Sequence, residues 1–143
     1  MVRVDLVREK VRQVRATLAL LAARLPADAN ALRADHDALD LVAFRVYLVM
    51  QHVVDIAAHV IADEGWGPAP SLRDHFAVLE QRGVLDAPLV APLSSAIKVR
   101  NLIAHGYVAV DPMKLHAAAV ALAPVAERFC AVVMEWAERT KSP

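Results

Sequence analysis

A chain of 143 residues is the size of one domain and large enough to bury a single core. Its formal net charge is zero, which excludes a broadly basic nucleic-acid binder and leaves any contact with phosphate to a local site. Hydrophobic residues make up 57 % but aromatics only 5 %, with four glycines, a balance that favours closely packed helices over a sheet. Cys130 stands alone, so no intrachain disulfide forms, as suits a reducing cytosol. The longest apolar run without a charge, residues 115–126, is too short to span a bilayer, and the charged N-terminus lacks a signal-peptide pattern. These features lead us to expect a soluble, cytoplasmic protein.

Apolar residues at Val4, Val7, Val11, Val14, Leu18, Leu21 and Leu25 step by three and four, which predicts an amphipathic helix over 2–25, ended by Pro26. Residues 26–31 read as a short connection. A long second helix is expected over about 32–62, with Leu39, Val42, Val46, Val49, Val53, Ile56 and Val60 on one stripe. The first segment is basic, with a charge balance of +4 over residues 1–25. The second is acidic, at −5 over residues 28–64. Two solvated faces paired against each other account for most of this; the sharper alternative is a first helix that adds positive potential to a groove for an anionic ligand or meets an acidic partner.

Gly65-Trp66-Gly67-Pro68-Ala69-Pro70 is the strongest loop signal. Ser71, with Asp74 three residues on, caps a short third helix that ends near Gly83. Asp86 with Pro88 starts the fourth, with Pro92 one turn in as a site of delay or bending. Asp111 with Pro112 caps a last helix that runs to about residue 139, with a kink expected at Pro124. The fold class is therefore all-α: an antiparallel bundle of four long helices plus one short one.

The stretch richest in chemistry is Arg100-Asn101-Leu102-Ile103-Ala104-His105-Gly106-Tyr107. It begins as a buried helix and stops at Gly106, the usual helix terminator. On an unbroken helix Arg100 and His105, five apart, point about 140° away from each other. Unwinding near Ala104 would let the imidazole swing back toward the guanidinium. Arg100 suits a phosphate, because its planar fork bonds two oxygens and stays charged. His105 suits proton transfer near neutral pH, and Asn101 could orient His105 or a phosphate. Cleaving RNA without a metal needs a base for the 2′-hydroxyl, an acid for the leaving 5′-oxygen and stabilisation of the phosphate charge. One histidine does not easily do both proton transfers, so a second copy across a two-fold axis is attractive. The bland account of the same residues is a cation and an imidazole that satisfy free carbonyls at a helix C-terminus.

Arg-x4-His-x-Tyr resembles the signature of the HEPN superfamily, most closely its HepT-like toxin branch. Residues 45–59 look like that family's long second helix, 71–80 with Gly83-Val84-Leu85-Asp86 like its short third helix and turn, and Val110-Asp111-Pro112 fits the segment after the motif. Roughly residues 40–115 match in order and spacing, and the N-terminal helix only in kind. The resemblance implies a HEPN-like homodimer whose two motifs face each other, acting as a metal-independent endoribonuclease with Arg100 and His105 catalytic. It implies a toxin–antitoxin pair, with a nucleotidyltransferase antitoxin of the MNT type as partner and RNA as substrate. Neutralisation would be by contact or by AMP attached covalently to Tyr107, where a bulky anion two residues from His105 would repel RNA; no other cofactor is implied. The alternative is a non-catalytic nucleotide-binding or scaffold subunit of a nucleotidyltransferase complex, and a third reading is a purely structural helical dimer.

Outside the motif, His52, Asp55 and His59 share one face of the second helix. They read as a buried polar network or a cleft lining rather than as metal ligands, with Asp55 a supporting partner for Arg100 if that face turns toward the motif. His36 and His75 read as solvated, His116 as partly buried and Cys130 as core. Trp66 either plugs the core or meets a partner.

Overall fold

The expected periodicities appear as six helices in a computed structural model that describes residues 1–106 and 110–141; among these residues there is no strand. Helix α1 (Val4–Arg24) buries Val4, Val7, Val11, Val14 and Leu21, as the three–four stepping predicts. Thr17 is buried beside them, and Leu18 lies only partly covered. The threonine can sit on an apolar face because its hydroxyl donates to the Gln13 carbonyl one turn back, at 2.9 Å.

The segment read as a connection is in part a short helix, α2 (Ala29–Ala34), which buries Leu32. Helix α3 (His36–Asp63) therefore starts later than predicted. Two aspartates explain the division. The Asp28 carboxylate accepts from the Asn30 N–H, and that of Asp35 accepts from the Ala38 N–H at 3.1 Å. A cap needs extended backbone, and Asp35 at φ −124° and ψ 99° supplies it, so no single helix can run through this point. Helix α4 (Leu72–Gln81) is capped by Ser71, whose hydroxyl accepts from the Asp74 N–H at 3.2 Å. Helix α5 (Ala87–His105) is capped by Asp86 through the Leu89 N–H at 3.0 Å and continues through Pro92. Helix α6 (Pro112–Lys141) likewise continues through Pro124.

Side-chain pairs between elements fix the directions of the long helices. Arg3 grips Asp63 while Arg45 reaches the Leu20 carbonyl, so α1 and α3 are antiparallel. Arg8 meets Glu138, Arg15 meets Glu127 and His116 meets the Pro26 carbonyl, so α1 and α6 are antiparallel too. Helices α3 and α6 thus run the same way and touch across the bundle, whereas α1 and α5 do not meet. α3 packs on every other helix, and α6 lies directly against α1, α2, α3 and α5 and reaches α4 through side chains. By length and composition both could cross a membrane; here their apolar character reflects the number of neighbours each packs against. The core is closed by Phe76 of α4 set edge-on to Phe129 of α6, with ring centres 6.1 Å apart.

The expected pairing of basic and acidic segments is realised only at one corner. Arg3 and the Val2 N–H bind Asp63 and Glu64, but Arg8 and Arg15 pair chiefly with α6 and with Asp5 of their own helix.

Candidate active site

The residues of α5 from Arg100 to His105 remain helical, and the terminator is Gly106 at φ 59° and ψ 15°. That left-handed geometry suits glycine, so the chain has no reason to unwind earlier at Ala104. With the helix unbroken to His105, the two side chains leave it about 140° apart, and the unwinding that would bring His105 back toward Arg100 does not occur. The motif is also less buried than expected, since Leu102 is 52 % exposed.

Arg100 turns inward against α3. Its guanidinium carbon lies 4.9 Å from the centre of the Tyr47 ring. Nη2 donates to Gln51 Oε1 at 2.9 Å and more weakly to the Tyr47 hydroxyl at 3.4 Å, and Nη1 donates to Asn101 Oδ1 at 3.1 Å. Nε is buried and has no hydrogen-bond partner. Asp55 is reached through Gln51, whose Nε2 donates to Asp55 Oδ1 at 3.3 Å, so a glutamine stands where a direct Asp55–Arg100 pair was considered. Every group that accepts a hydrogen bond from Arg100 is neutral. Among the described residues no carboxylate lies within ion-pair distance of it, although Arg3, Arg8, Arg12, Arg15, Arg128 and Arg139 each have one. A half-buried cation surrounded by neutral dipoles keeps its full charge for an arriving anion.

His105 faces the other way, at the exposed C-terminal end of α5. It lines a shallow hollow of about 320 Å³ together with Lys98, Asn101 and Leu102. Asn101 joins the two halves: its carbonyl oxygen holds Arg100, while the residue lines the same hollow as His105. Its observed bond is the one it accepts from Arg100. Tyr107 lies outside the described residues.

Tyr47, Gln51 and Lys98 have no place among the site residues expected from the sequence. The signal for the first two was their i, i+4 spacing on α3, which presents both to one neighbour; that the neighbour is α5 is a tertiary fact. Lys98 falls at i−7 from His105, the same helix face, and that spacing alone would have found it.

Elsewhere, His52, Asp55 and His59 do share a face of α3, yet among the described residues no three His, Cys, Asp or Glu groups converge. Burial, and secondarily Lys10 of α1, hold the His52 imidazole below its ordinary pKa, with Asp55 opposing. His75 is half-buried and bonds the Ser71 carbonyl through Nδ1 at 2.8 Å, so it is less solvated than expected. His116, partly buried, bonds the Pro26 carbonyl. Cys130 is fully buried and its thiol is pushed up to about 12 by that burial, so it is a core group and not a nucleophile. Trp66 packs on Trp136 at 5.7 Å and under Arg82 at 5.4 Å, which makes it a plug for the end of the bundle.

A family model described as ribonuclease HepT-like matches residues 14–133. Among solved structures, the tri-AMPylated Shewanella oneidensis HEPN toxin in complex with MNT antitoxin is 21 % identical with a TM-score of 0.84, covering 92 % of this chain and 98 % of that one. A toxin–antitoxin structure with AMP-PNP is 20 % identical with the same TM-score and coverage. At these identities the likeness establishes a shared fold. No curated protein matches.

Proposed function

The chain belongs to the HepT-like ribonuclease family, and from that membership we propose that it is the toxin of a toxin–antitoxin pair, an endoribonuclease acting in the cytosol as a homodimer. The observation that supports this best is the Arg100 guanidinium, half-buried with only neutral acceptors. Such a charge is poised to take two non-bridging phosphate oxygens and to stabilise the negative charge that grows on phosphorus.

In the reaction, the ribose 2′-oxygen attacks phosphorus as its proton leaves to a base. The bond to the 5′-oxygen breaks as that oxygen gains a proton from an acid, leaving a 2′,3′-cyclic phosphate. No step requires a metal. Because Arg100 and His105 of one chain leave α5 in different directions, a single copy does not wrap one phosphate with both groups. A second copy facing the first supplies a second imidazole, so one histidine serves as base and the other as acid.

The structural neighbours extend the proposal to a partner. A toxin of the same fold is found tri-AMPylated in complex with an MNT antitoxin. We carry this to Tyr107, where the phenol oxygen would attack the α-phosphorus of ATP and release pyrophosphate, catalysed by a nucleotidyltransferase antitoxin. The added anion beside His105 would exclude the RNA backbone.

Expression of the wild type alone arrests growth, while Arg100→Ala and His105→Ala, each folded by circular dichroism, do not; in vitro each lowers cleavage roughly 100-fold or more. Undiminished toxicity in either variant would defeat the proposal. Coexpression with the partner adds discrete AMP increments to the intact mass, and Tyr107→Phe removes them.

A further inference from the structure

We propose that Lys98 is a substrate-binding residue, which holds a phosphate of the RNA strand next to the one being cleaved. The proposal rests on the ribonuclease reading above and adds the direction in which the strand runs.

Lys98 lies seven residues before His105, two turns along one face of α5, about 10 Å along the helix axis. Asn101, Leu102 and His105 complete the wall of the same hollow, whose volume of about 320 Å³ is open to solvent. The cation is exposed and, among the described residues, has no hydrogen bond or ion pair. This sets it apart from Arg3, just before α1, and from Arg8, Arg12 and Arg15 of α1, whose charges are tied to carboxylates. Leu102, 52 % exposed, sits between Lys98 and His105 in sequence and on the same wall.

A cation at one end, an apolar shelf in the middle and a proton-transfer group at the other end is the order a single strand presents: phosphate, base, phosphate. Single-stranded RNA binding of this type combines a basic track with surfaces on which bases rest. The flexible four-carbon stem of lysine allows it to follow a phosphate without fixed geometry. Duplex RNA fits less well, because its bases are stacked away from such a shelf. The substrate class is therefore a single strand that extends at least one nucleotide past the scissile phosphate, running along α5 toward its N-terminus.

The test uses a fluorescent, mixed-sequence single-stranded RNA of roughly twelve nucleotides. Binding is measured by anisotropy in a His105→Ala background, which holds the strand uncut. Lys98→Ala should weaken binding about five- to ten-fold. It should also reduce the slope of log affinity against log salt by about 0.7, the value for one phosphate neutralised on a single strand. Lys98→Arg should restore both. In the cleaving enzyme, Lys98→Ala should raise KM about five- to ten-fold with kcat within about two-fold, because Lys98 holds ground state and transition state equally. Equal affinity and salt slope for Lys98→Ala and its parent overturn the proposal, as does a defect that appears only in kcat. A wild type that binds the strand without cutting it fails the ribonuclease reading instead, and the binding comparison still decides the role of Lys98. If a protein surface rather than RNA covers this wall, the RNA affinity will not respond to Lys98 at all, which also overturns it.

Discussion

What Arg100 can do is set by the residues it touches. Tyr47, Gln51 and Asn101 fix its guanidinium through dipoles and a ring face, leaving the charge uncompensated. Replacing the amide of Gln51 by a carboxylate turns a positioning contact into an ion pair. Gln51→Glu should therefore lower RNA cleavage roughly ten-fold or more by competing with the phosphate for Arg100, while the lost hydrogen bond to Asp55 and the new like charge beside it lower the melting temperature without unfolding the protein. Single-turnover cleavage alongside thermal melting checks this, and a fully active Gln51→Glu enzyme would show that the charge of Arg100 is not held in reserve. Arg100 and His105 stood out in the sequence because their spacing resembles a family signature, and Gly106 because glycine ends helices. Gln51 was not, because glutamine four residues after tyrosine is unremarkable until a guanidinium is placed against both.

Among the elements, the boundary between α2 and α3 is the place where local chemistry overrode periodicity. The apolar pattern from Leu32 onward suits one continuous helix, and Leu32 is indeed buried. The capping preference of Asp35 nevertheless breaks it, since its carboxylate bonds the Ala38 N–H and its backbone is extended. Asp35→Ala should lower stability by about 1 kcal/mol through removal of this cap, measured by denaturant unfolding. A variant as stable as the wild type would mean that packing of Leu32, not the cap, sets the division. Ser71 and Asp86 show the same chemistry read correctly in advance, because there the flanking Gly and Pro residues marked the breaks. At the far end of α5, Gly106 fixed the last helical residue for the same reason.

For the molecule as a whole, burying polar groups between helices couples stability to pH. His52 lies between α3 and Lys10 of α1, and burial holds its imidazole below the ordinary value. The unfolded chain takes up a proton near 6.5 while the folded one resists, so stability is full above that pH and falls as pH drops toward the lower folded value. Melting temperature should therefore decline from about pH 7.5 to about pH 5.5, and His52→Gln, which cannot take up the proton, should flatten the decline. An unchanged slope in that variant would assign the pH response elsewhere. At lower pH a second decline is expected: Arg3 holds the Asp63 carboxyl below its usual range, so that contribution disappears as pH falls through the folded value.

By itself the sequence determined the all-helical class and most helix ends. All of these follow from short-range effects: side-chain periodicity, capping chemistry and the conformational freedom of one glycine. Only the tertiary structure decided that Arg100 is gripped by α3 and that the face carrying Lys98 and His105 is left open. Those outcomes depend on how helices far apart in the chain pack together, and packing is settled by the fit of the whole core rather than by any local pattern.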